Sequence, residues 1–180
     1  QKTIQAIKSM TKAVCELDAT LTEFNKVADL STEQLEEYAD KAFEAADKIG
    51  RTGKDMIEAA TEFKRAGYDL EQSLEMGNAA LVMTNVADGI NQTSDAASTL
   101  ISVLKGFNIS DADIMSIVDK MNSVSNQSPV GFDNLADGLE RVSGTMSQAG
   151  NSIDETIGLL TGGFAQLRNM KKVSTGLITI

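Results

Sequence analysis

The sequence predicts an all-α protein: a multi-helix bundle or array of about eight short helices behind a long, heptad-patterned N-terminal helix. Three observations predict it. Apolar residues recur at spacings of three and four through most of the chain. Ser, Thr or Asp precedes many of these stripes and Gly follows them, as at helix caps. One proline in 180 residues and 4% aromatics argue against loop-rich or aromatic-rich sheet designs.

The first helix carries Ile7, Met10, Val14, Leu17, Leu21, Phe24 and Ala28 on one stripe. That is a heptad seam, and at 1.5 Å per residue a helix over residues 1–28 is about 42 Å long. Packing inside the chain's own bundle and self-association with another copy both satisfy it. Ile7, Met10, Val14, Leu17, Leu21 and Phe24 are the candidate self-association residues.

Ser31 or Thr32 opens a second helix, with Gln34 completing a capping box, Leu35, Ala39, Ala42, Ala46 and Ile49 inward, and Gly50 at its end. Its outer face carries Glu33, Glu36, Glu37, Asp40, Glu44 and Asp47, the pattern of a solvated surface. Gly53-Lys54-Asp55 leads into a short third helix with Met56, Ile57, Ala60 and Phe63, closed by Gly67. Asp69 caps a fourth over residues 70–87, apolar on several sides and so the most buried; Gly77 within it predicts close backbone packing. Gly89 ends it.

Thr93 or Ser94 is the expected cap of a fifth helix, with Ala97, Leu100, Leu104 and Phe107 on its seam and Gly106 as its end. Ser110-Asp111-Ala112-Asp113 reads as a capping box for a sixth, with Ile114, Ile117, Met121 and Val124 inward. Residues 125–131 hold the only proline and give the strongest loop signal, a place for a hinge. Asp133 is the expected cap of a helix with Leu135, Leu139, Val142, Met146 and Ala149, closed by Gly150. Ser152-Ile153-Asp154-Glu155 starts another with Ile157, Leu160, Phe164 and Leu167. Two such stripes joined by a Gly-Asn turn predict an antiparallel hairpin. One continuous rod would need about 270 Å of unbroken helix, which these caps oppose.

The composition excludes much chemistry. With no histidine there is no Ser-His or Cys-His catalysis, and one cysteine without histidine cannot make a usual zinc site. Cys15 cannot form an intramolecular disulfide and is expected to be a small buried apolar side chain. Asp111 and Asp113 resemble the start of a calcium loop, but Ser116 and Asn122 stand where its glycine and glutamate belong. Gly162-Gly163 has no following Lys-Ser or Lys-Thr, so it is structural rather than phosphate-binding. No catalytic, cofactor-binding or metal residue is assigned. Of the eight methionines, Met10, Met121 and Met146 fall on core stripes as filler.

A net charge of −10, with Lys64-Arg65 and Arg168 plus Lys171-Lys172 as the only basic clusters, disfavours specific nucleic-acid binding. No apolar run approaches the roughly 20 residues of a membrane span. Starting at Gln1 and stopping on Leu177-Ile178-Thr179-Ile180, the sequence is expected to be a piece of a longer polypeptide.

One ordered series of motifs carries a resemblance. Leu81-Val82-Met83-Thr84-Asn85-Val86-Ala87-Asp88-Gly89 is followed by Ala96-Ala97, Leu100-Ile101, Lys105-Gly106-Phe107-Asn108-Ile109 and Ile117-Val118-Asp119-Lys120-Met121-Asn122. Ser128 through Phe132, Leu135-Ala136-Asp137-Gly138-Leu139, Ala149-Gly150-Asn151-Ser152-Ile153-Asp154-Glu155-Thr156-Ile157 and Lys172-Val173-Ser174-Thr175-Gly176-Leu177 continue it. Over about residues 53 to 180 this resembles the core of bacteriophage tail tape measure proteins, the minor tail protein family of long-tailed phages. Gly162-Gly163-Phe164-Ala165-Gln166-Leu167 departs from the alanine-rich helix usual there.

The resemblance implies a structural role in a phage or prophage tail: a scaffold on which the tail tube assembles and whose length sets tail length. The heptad stripe and the capped second helix predict residues 1–50 as a coiled-coil-like N-terminal helical hairpin, which matches the family only as generic upstream helix, while the resemblance implies 51–180 as the tape measure core, truncated at its C-terminus. The implied partners are other copies of the chain, the tail tube protein and tail assembly chaperones, in the virion tail and, during assembly, the host cytoplasm. Membrane contact would come only through other parts of the parent protein. The alternatives are a helical adaptor or effector of bacterial origin, or the non-catalytic part of a tape measure with a peptidoglycan hydrolase elsewhere.

Overall fold

A computed structural model describes the backbone of residues 2–179 and the side chains of residues 12–179. Nine α-helices and one 3-10 turn account for the secondary structure of the described residues. The chain divides into two compact units, residues 1–78 and 79–180.

The first unit holds α1 (Lys2–Ala28), α2 (Thr32–Lys48), α3 (Gly53–Arg65) and the start of α4 (Leu70–Val86). The α1–α2 turn is closed by Asn25, whose side chain accepts from Leu30 N at 2.7 Å and donates to Leu30 O at 3.1 Å. Ser31 and Gln34 form the predicted capping box at the start of α2. At α3 the cap is Thr52, in a second capping box with Asp55, one residue ahead of the Gly-Lys-Asp lead-in. Asp69 and Gln72 exchange reciprocal bonds at the start of α4.

Each box satisfies backbone N–H groups that a helix start leaves without partners. The core is built from Phe24, the alanines Ala39, Ala42 and Ala46 of α2, and Met56, Ile57, Ala60 and Phe63 of α3. The alanine stripe lets α2 pack against α3. A Cβ on Gly77 would lie 3.3 Å from Ala60 N, so α4 approaches α3 closely where the sequence predicts it. Leu81 and Met83 of α4 are fully buried.

The second unit adds α5 (Thr93–Phe107), the 3-10 turn Asp111–Asp113, α6 (Ile114–Gln127), α7 (Phe132–Gln148), α8 (Ile153–Leu167) and α9 (Met170–Thr179). Here α7 is the hub, packed by α5, α6, α8 and α9, with Leu135, Leu139 and Val142 fully buried. Gly138 makes room for Met170 of α9 and Leu160 of α8; a Cβ there would come within 2.7 Å of the Met170 sulfur. A Cβ on Gly163 would stand 2.6 Å from Val173 Cγ1, which gives Gly163 a structural reason.

Several expected boundaries move. Gly106 does not end α5: Asn108, left-handed at φ 52°, does, while Gly106 lies inside the helix against α7. Thr93 is the buried first residue of α5 rather than its cap, and Gln92 takes the cap position without a side-chain bond. Ser110-Asp111-Ala112-Asp113 makes a 3-10 turn, not a capping box, with Ala112 N bonding to the adjacent Asp111 carboxylate.

The sixth helix runs on to Gln127, and within the Pro129 turn Val130 is fully buried, which pins the turn. With Val130 and Phe132 both buried, α7 starts at Phe132 behind Gly131, and Asp133 sits in its first turn instead of capping it. Ala149 and Leu167 are exposed rather than inward. The ninth helix has no counterpart in the helical stripes read from the sequence: Arg168, at φ 49°, ends α8, and Asn169 accepts from Lys172 N to start α9.

Candidate association surfaces

In α1 the seam divides. Phe24 is fully buried and stacks on Tyr38 of α2, ring centroids 4.5 Å apart and planes at 15°. Thr20, one turn earlier, is buried, and Leu17 and Leu21 are half-buried. The helix is lashed to α3 by ion pairs from Glu16 to Lys54 at 3.9 Å and from Glu23 to Arg65 at 4.0 Å. All four groups are largely solvated, so the apolar contacts carry the stability.

Val14 is 67% exposed. The side chains of Ile7 and Met10 lie outside the described residues. Thus Phe24 and in part Leu17 and Leu21 are used within the unit, while Val14 is not. Cys15, expected to be buried, is exposed: it lies off the packed stripe of α1 that carries Thr20 and Phe24.

A second feature was not legible in the sequence. A groove of about 520 Å³ opens between α2 and the first turns of α4. Its apolar lining is Leu30, Leu70, Leu74 and Tyr38. Tyr38 is only 6% exposed, and its hydroxyl is buried with no hydrogen-bond partner. Burial pushes its phenol above the ordinary value of 10.0.

Glu37, Glu71 and Glu75 stand on the rim. Lys41 bonds Glu37 at 2.7 Å, and that bond with its attraction holds the Glu37 carboxyl below its usual range. Lys41 also attracts Glu71 across the groove, and with three carboxylates against this one amine the rim is net acidic. Leu30 and Leu70 are 40 positions apart, and only the helix packing brings them to one groove.

The acidic face of α2 is otherwise solvated as expected: Glu33, Glu36, Glu37, Asp40, Glu44 and Asp47 are all exposed, and Glu44 pairs with Lys48. Among the described residues no three His, Cys, Asp or Glu side chains are grouped to hold a metal ion, and no helix is long and apolar enough to cross a membrane. Of the methionines assigned to core stripes, Met121 and Met146 are buried; Met10 lies outside the described side chains.

Helices packed through alanine and glycine define an all-α helical protein. The chain belongs to the phage-related minor tail protein family, whose model matches residues 39–180, well over half its length. Membership gives it a structural role in the phage tail and a place in the virion tail. No solved structure matches the chain.

Proposed function

We propose that the chain is a tape measure segment, which scaffolds tail tube assembly and sets tail length through helix packing. The observation that carries this reading is the family match over residues 39–180, a region built of helices joined by short turns; opened out inside the tail tube, those compactly packed helices would convert residue count into length at a fixed rise. Residues 1–50 serve as the N-terminal association hairpin and residues 51–180 as the tape core, a functional division separate from the packing division at residue 78. The exposed Val14 supports self-association through the N-terminal part of the seam, Ile7, Met10 and Val14, with Leu17 and Leu21 contributing their exposed edges; Phe24 is taken up inside the unit.

The proposed partners are further copies, the tail tube protein and tail assembly chaperones, met in the host cytoplasm before the virion is complete. A net charge of −10 supports passage of DNA without trapping it. In-frame duplication of residues 39–180 in the phage should lengthen the tail by about 210 Å, the rise of that many residues when the packed helices are opened out end to end in the tube. Electron microscopy of intact tails reads the length. Tails of unchanged length would overturn the reading.

A further inference from the structure

We infer that the groove between α2 and α4 receives the N-terminal segment of a second copy, residues 4–14, laid in as a basic amphipathic helix. The inference rests on the self-association proposed above and names the surface that the seam meets.

The groove sets the requirement. Leu30, Leu70 and Leu74 offer an apolar trough and Glu71 and Glu75 an acidic rim, with Tyr38 also in the lining. An occupant must therefore bring an apolar stripe and positive charge.

The N-terminal segment meets each condition. Ile4, Ile7, Met10 and Val14 recur at helical spacing, and Lys2, Lys8 and Lys12 are the only charged residues before Glu16. The other basic stretch, Lys171-Lys172, is a poorer candidate because its neighbours Met170 and Val173 are already buried in their own unit.

The occupant comes from another copy for a geometric reason. Leu30, just past the end of α1, lines the groove, whereas an unbroken helix carries residues 4–14 about 24–39 Å away along its axis. A copy cannot fill its own groove without breaking α1. Reciprocal insertion between two copies closes as a two-fold dimer.

The test is sedimentation velocity of the full 180-residue chain over a micromolar concentration series. Wild type should show concentration-dependent dimers. Glu71→Lys with Glu75→Lys should weaken association by roughly tenfold or more, as should Lys8→Glu with Lys12→Glu, and combining all four should restore it. Restoration excludes misfolding as the cause of the loss. In a Cys15→Ser background, a Val14→Cys chain mixed with a Glu75→Cys chain should give a disulfide-linked heterodimer.

If wild type associates but the rim reversals change nothing and Val14→Cys couples chiefly to itself, seam meets seam: self-association stands and the groove inference falls. A monomer at every concentration removes both, while leaving the tail-length test to judge the tape measure reading separately.

Discussion

Gly106 of α5 faces Ser143 of α7 so closely that a Cβ on Gly106 would lie 2.5 Å from the Ser143 Cβ and 3.0 Å from Gly144 N. No side chain fits there, and two of the atoms in the way are backbone. Gly106→Ala should therefore destabilise the protein by about 1–2 kcal/mol, an overpacking cost of roughly 1–3 kcal/mol partly offset by the better helix propensity of alanine. Gly144, also inside a helix, has open space where its Cβ would go, so Gly144→Ala should stabilise by up to about 1 kcal/mol. Denaturant midpoints measure both, and the reverse order would contradict the packing described.

Glu155 gives α8 a pH-dependent start. Its carboxylate accepts from Ser152 N at 2.8 Å and from the Ser152 hydroxyl at 2.9 Å, and these bonds hold it below its usual value of 4.5. A carboxylate lowered in the folded state adds stability above the unfolded value, and that increment is lost as pH falls through the folded one. Glu155→Gln keeps a capping-box side chain without the charge. Its stability should fall below wild type above pH 4.5 and converge with it in more acidic solution. Parallel stability curves at all pH would refute this.

Tyr38 holds a buried, unpaired hydroxyl against the Phe24 ring. Tyr38→Phe should raise the stability of the monomer by about 1 kcal/mol, since it removes an unsatisfied polar group and keeps the stacked ring. Because burial raises the phenol, its contribution is fully present below pH 10.0 and lost in stronger alkali, so phenol absorbance should titrate late for this residue. If a second copy fills the groove, the same substitution should leave association unchanged while stabilising the monomer, because the buried hydroxyl offers an occupant no surface. Thermal unfolding and sedimentation of one variant separate the two effects.

Local signals made most helices legible. Ser31 with Gln34, Ser152 with Glu155 and Asp69 with Gln72 act within a single turn, and each caps the helix it was expected to start. Gly50, Gly67, Gly89 and Gly150 all take positive φ at helix ends, where glycine alone has little steric cost. The stripe on α1 was legible too, but its division was not: the sequence treats Val14 and Phe24 alike, and only contact with Tyr38 and α3 buries one and leaves the other exposed.

Sequence by itself determined the all-α class, most helix starts and ends, the absence of histidine chemistry and the motifs that carry the family, because these depend on residues within a few positions of each other. Tertiary structure decided the rest. It turned Gly106 from a helix end into a contact, exposed Cys15, set α9 against Gly138 and Gly163, and brought Leu30, Tyr38 and Leu74 together into a groove. Those outcomes depend on which helix faces cross, and side-chain volumes at sites far apart in the chain settle that crossing.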